Sequence, residues 1–64
     1  MKCNFILCGR KSNDPSWEEE IVTETVHQYR LQNLIEWAKE SGYIGLRIMV
    51  FDLENGEFIK QYRV

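Results

Sequence analysis

The sequence predicts an α+β domain in the order strand, strand, helix, strand, strand, with one helix packed on one face of a four-stranded, mainly antiparallel sheet. Three features predict it. Residues 1–26 hold two extended segments around a cluster of turn formers, residues 27–41 switch to a helical period, and residues 43–64 hold two more extended segments around Asn55-Gly56.

The first strand is assigned to Lys2–Gly9, KCNFILCG, a short apolar run closed by glycine and too short for a free-standing helix. Alternation places Cys3, Phe5 and Leu7 on one face, toward the core, and Cys8 on the other. Residues 10–16, RKSNDPS, read as a loop, because Ser12, Asn13, Asp14 and Ser16 form turns and Pro15 biases Asp14 away from helix. From Trp17 to Val26 the β-branched Ile21, Val22, Thr23, Thr25 and Val26 argue for a second strand, paired with the first as a hairpin. The run Glu18, Glu19, Glu20 within it reads as a solvated edge.

Between His27 and Ser41 the residues Leu31, Leu34, Ile35 and Ala38 stand at i, i+3, i+4 and i+7, so they share one helical face, and Gly42 supplies the stop. His27 is expected either to begin this helix or to join a cap after Thr25, with its polar groups satisfied by backbone. In Tyr43–Asp52, YIGLRIMVFD, alternation sets Ile44, Leu46, Ile48 and Val50 on one face and Tyr43, Gly45, Arg47, Met49 and Phe51 on the other. A two-residue loop at Asn55-Gly56 would put Ile48 and Val50 opposite Arg63 and Gln61. A three-residue loop with Gly56 left-handed pairs Leu46 with Val64, Ile48 with Tyr62 and Asp52 with Phe58, and makes one face consistently apolar except for Lys60.

The 64 residues are expected to form one compact domain, 1–64, with room for one small core and little for a deep cleft. Lys and Arg number 8 against 10 Asp and Glu, so no overall field attracts a phosphate backbone and nucleic acid is disfavoured as a partner. No apolar run is long enough to cross a membrane. Cys3 and Cys8 point to opposite faces and no leader-like segment follows Met1, which suggests free thiols and a cytoplasmic location. Cys3, Cys8 and His27 lack the paired spacing of a metal site, and no cofactor motif is present.

The element order resembles the β-grasp arrangement of ubiquitin and the small sulfur carriers, in which the first and last strands lie side by side in the middle of the sheet. That resemblance implies architecture alone: those proteins end in an activated Gly-Gly, whereas this sequence closes on Tyr62, Arg63 and Val64. The layout is also similar to that of small phage-encoded proteins that bind and disable host enzymes, which would imply a phage or mobile-element origin.

With the helix on one side, the other sheet face is open, and the register above places Met49, Phe51 and Ile59 there beside Arg47, Gln61 and Arg63. An apolar centre rimmed by arginine and amide groups has the composition of a protein interface. These six residues are the expected partner-binding set, and the occupant is another protein or a second copy of the chain. The alternative is single-stranded nucleic acid, with a base on Phe51 and phosphates on Arg10, Lys11, Arg47 and Arg63. Its weakness is that the first strand offers only Phe5, which faces the core. Catalysis is not expected: there is no phosphate-cradling glycine loop, no spaced Cys and His pair and no activated Ser, and Asp52, Glu54 and Glu57 are turn carboxylates in solvent. The expectation is a small non-enzymatic regulator, adaptor or inhibitor that works through the open face and through the edge of its second strand.

Overall fold

In the computed structural model, which describes residues 2–13, 16 and 18–64, the chain forms β1 (Cys3–Lys11), β2 (Glu20–Thr25), a 3₁₀ turn (Gln28–Arg30), α1 (Leu31–Glu40), β3 (Tyr43–Asp52) and β4 (Phe58–Arg63). The fold is α+β, with α1 packed on a four-stranded antiparallel sheet of order β2-β1-β3-β4. The expected strand at 17–26 is observed from Glu20, while Trp17, Asp14 and Pro15 lie outside the described residues. β1 runs on through Arg10 and Lys11, residues expected to begin the loop.

The β-grasp order is not the one observed: β3, not β4, lies beside β1. The distribution of apolar residues accounts for this. Leu46, Ile48 and Val50 of β3 are buried against Phe5 and Leu7 of β1, Leu31, Ile35 and Ala38 of α1 close the cluster, and Leu34, Val22, Cys3 and Tyr43 pack on its margin. Every residue of β4 is exposed, Lys60 included, so the strand with the aliphatic row takes the centre and β4 takes an edge.

α1 is entered through the 3₁₀ turn, which follows His27, whose carbonyl accepts from the Arg30 N–H (3.0 Å) and whose N–H donates to Thr25 Oγ1 (3.0 Å). It ends in a left-handed Gly42 (φ 92°), whose N–H donates to the Lys39 carbonyl (3.1 Å).

Each strand pair carries one register shift, and these shifts explain where simple alternation departs from the fold. Between β1 and β3 the shift falls between Cys8 and Arg10, opposite Gly45, which is left-handed at φ 62°. A glycine in this conformation marks a bulge that inserts one residue and exchanges the faces beyond it. Tyr43 therefore packs at the core margin, and Ile44, expected in the core row, is 39% exposed. Between β1 and β2 the extra residue is Val22, which joins the core margin. Between β3 and β4 it is Ile59: Ile48↔Tyr62 pairs as expected, but Phe58 stands opposite Phe51 instead of Asp52. The loop is accordingly one residue longer than expected, with Asp52 and Glu57 closing it (Asp52 N–H to the Glu57 carbonyl, 2.8 Å) and Gly56 left-handed at φ 73°.

Candidate functional site

The sheet face away from α1 is built from alternate residues of the strands. On β3, Arg47, Met49 and Phe51 point to this side, opposite in direction to the buried Leu46, Ile48 and Val50. Their β1 partners are Cys8, Ile6 and Asn4, and their β4 partners are Arg63, Gln61 and Phe58. Five of the six expected residues are thus brought together. Ile59 is placed at the bulge, and Phe58 takes the position across from Phe51. The two rings meet edge to face, with centroids 5.6 Å apart and planes at 72°, and Phe58 remains 53% exposed. Alternation alone could not show this, because the bulge lies in a stretch, Glu57–Lys60, with no glycine or proline to mark it.

The face divides into an apolar end and a charged end. At the apolar end Phe58 stands on the half-buried Phe51, with Met49 and Ile6 adjoining on neighbouring strands. At the charged end Arg47 is the hub. Its Nε and Nη2 donate to the two carboxylate oxygens of Glu19 at 2.6 and 3.0 Å, and its Nη1 donates to Gln61 Oε1. The expectation that Glu18–Glu20 are merely solvated is corrected here for Glu19. Glu19 is folded onto Arg47, and a hydrogen bond with Glu20 holds the Tyr43 hydroxyl above its ordinary pKa. The Arg47 guanidinium holds the Glu19 carboxyl below the ordinary glutamate range, first through the hydrogen bond and then through its charge, with Arg63 adding to it through space.

Beneath this pair lies Cys8, 3% exposed yet not part of the cluster under the helix. It sits between Ile21 of β2 and Arg47 of β3. Burial pushes its thiol pKa up, the nearby Arg47 pulls it down, and burial dominates. Cys3 and Cys8 are both free thiols.

A shallow depression at the charged end is lined by Arg10, Glu19, Gly45, Arg47 and Arg63, and a second one, sharing Arg47 and Arg63 with it, is lined also by Gln61 and Tyr62. At the opposite end of the hairpin the carboxylates do structural work: Asp52 Oδ1 accepts from the N–H groups of Glu54 (2.8 Å) and Asn55 (3.3 Å), which fixes the turn. Among the described residues, no group of three or more His, Cys, Asp or Glu side chains is arranged to hold a metal ion, and no helix is long and apolar enough to cross a membrane. No family model matches the chain, and comparison with curated proteins and with solved structures found no match.

Proposed function

We propose that this chain is a small non-enzymatic protein-binding module, a regulator, adaptor or inhibitor, that engages another protein or a second copy of itself through the sheet face opposite α1. The observation that carries the reading is the Phe51–Phe58 pair, an aromatic step at the hairpin end of the face, followed along the strands by the Met49–Gln61 pair and then by the Arg47–Arg63 pair. Aromatic, Met and Arg side chains are the types enriched where proteins meet, and a ring more than half exposed gains from being covered. Both β2 and β4 are edge strands, so a partner strand has main-chain groups to pair with. The free thiols Cys3 and Cys8 suit a reducing, cytoplasmic setting.

The test is photo-cross-linking in cells from a benzophenone amino acid placed at position 58, with position 32 on the exposed side of α1 as the control. The expected result is a discrete product from position 58, lost in Phe51→Glu, and none from position 32. Equal products from both positions, or a position-58 product that survives Phe51→Glu, would sink the proposal.

A second reading gains from the same aromatic pair, since single-stranded nucleic acid binds on adjacent aromatic residues flanked by arginine. Against it stand the 72° angle between the rings, which denies two bases parallel platforms, and the net charge of −2. Salt-sensitive binding of a labelled oligonucleotide that is lost in both Phe58→Ala and Arg63→Gln would favour it over protein binding.

A further inference from the structure

We propose that Arg47 and Arg63, with Arg10 beside them, form a binding site for a carboxylate presented by an acidic side chain of the protein partner, and that Glu19 occupies this site in the free chain. This inference rests on the protein-binding reading and names what the partner brings to the charged end of the face.

The register carries the argument. Arg47 and Arg63 are direct cross-strand partners on the same sheet face. Like charges placed directly opposite one another destabilise a sheet, so such a pair calls for an anion between or above its members. Arg10 joins them along the wall of the same depression: a Cβ built on Gly45 would stand 3.9 Å from Arg10 Nε. Gly45 has no side chain to fill that space, and its left-handed φ of 62° keeps the position favourable to glycine. Guanidinium groups from β1, β3 and β4 therefore line one depression, and among the described residues Glu19 contributes a carboxylate to it.

Glu19 shows what the site accepts. Both of its oxygens are held in the fork of Nε and Nη2 of Arg47, the geometry by which arginine takes a carboxylate. Glu19 lies just outside β2, which begins at Glu20, so its side chain can leave Arg47 without breaking the β1–β2 ladder. Arg63 reaches Glu19 by charge alone, with no hydrogen bond to it among the described residues. A partner's carboxylate that entered between Arg47 and Arg63 would engage both. Glu18 and Glu20 flank the resident Glu19, and the net charge is −2; both disfavour a polyanionic phosphate chain while leaving room for a single carboxylate.

The test follows the arginine Nε–Hε resonances of the full chain by NMR while a blocked Gly-Glu-Gly peptide, which carries one carboxylate, is added, with inorganic phosphate as the second probe. The expected result is saturable movement of the Arg47 and Arg63 signals, severalfold tighter in Glu19→Gln, where the resident carboxylate is gone, and severalfold weaker in Arg63→Gln. Phosphate is expected to bind no tighter than the peptide. Absence of saturable movement, equal affinity in the wild type and Arg63→Gln, or tighter binding of phosphate would each overturn the assignment. If Glu19→Gln loses its amide dispersion, Arg63→Lys decides: it keeps the charge without the fork, and unchanged peptide affinity there overturns the site. Cross-linking from position 58 does not depend on Arg63, so a product there without peptide binding here refutes this site and leaves the protein-binding reading standing.

Discussion

Alanine at Gly9 would place a methyl group in the tightest part of the β1–β3 junction. Gly9 is buried, and a Cβ built on it would lie 2.7 Å from Leu46 Cδ2 and 3.2 Å from the Ile44 carbonyl oxygen. Comfortable carbon contacts begin near ~3.5 Å. Leu46 is itself 6% exposed and held within the core cluster, and the Ile44 carbonyl is backbone, so relief requires the Leu46 side chain to repack and the β3 backbone to shift. Overpacking of this kind costs about 1–3 kcal/mol, and the stiffer unfolded chain that alanine gives returns about 0.4–1 kcal/mol. The net expectation is a loss of about 1–2 kcal/mol, which in a domain this small lowers the melting temperature by roughly 5–15 °C. Thermal and urea unfolding followed by circular dichroism measures it. A second arm identifies the cause: Leu46→Val removes the atom that collides, so the double variant should be more stable than the sum of the single costs implies. A Gly9→Ala protein as stable as the wild type, or strictly additive costs in the double variant, would refute the reasoning.

Gly45→Ala puts a Cβ on a left-handed residue and is expected to cost about 1–2 kcal/mol, with Gly45→Asn costing less, as read from urea midpoints. Ile48→Ala, at a position 1% exposed, should cost about 2–5 kcal/mol, whereas Phe58→Ala on the open face should cost well under half of that. Because Arg47 lowers the Glu19 pKa in the folded state, the stability gained from this carboxylate is present above the ordinary glutamate range and lost as pH falls through the lowered value. The gap in urea midpoint between wild type and Glu19→Gln should therefore be widest near neutral pH, narrow in acid, and shrink in high salt, since both partners are partly exposed. In Cys3→Ser, the remaining Cys8 should react with a thiol reagent far more slowly than Cys3 does in Cys8→Ser, because Cys8 is buried and its thiol pKa is raised; equal rates would contradict its placement beneath Arg47.

Periodicity made much of this fold legible. The helical face of Leu31, Leu34, Ile35 and Ala38, its stop at Gly42, the buried row of Leu46, Ile48 and Val50, and the Ile48–Tyr62 register all follow from spacing, because burying a face is the same physical demand that sets the spacing. Alternation failed at single inserted residues. Gly45 was a visible signal, since an isolated glycine inside a strand pattern suggests a bulge, and reading it so would have moved Tyr43 inward and Ile44 outward. Ile59 gave no comparable signal. The strand order was less accessible still, because the hairpin β3–β4 docks on β1 by either strand, and the choice rests on which one buries more apolar surface, a comparison between whole strands.

The acidic run shows why the candidate site was only half legible. Glu19 and Arg47 are separated by 28 positions, and nothing local to Glu18–Glu20 distinguishes a carboxylate in solvent from one that is held. What distinguishes them is the cross-strand pair of Arg47 and Arg63, which follows from the correct part of the expected register. Two arginines facing one another on a sheet are a demand for negative charge, and the acidic run that precedes β2 is the nearest supply along the first edge of the sheet. Glu19 answers it for Arg47 and leaves Arg63 without a hydrogen-bonded carboxylate among the described residues. On the proposed reading, Glu19 keeps the free chain from presenting two bare guanidinium groups at one end of a face that exposes Phe58 at the other, and a partner has to supply both an apolar contact for the ring and a carboxylate that displaces Glu19. Selectivity of the proposed face would come from that joint requirement.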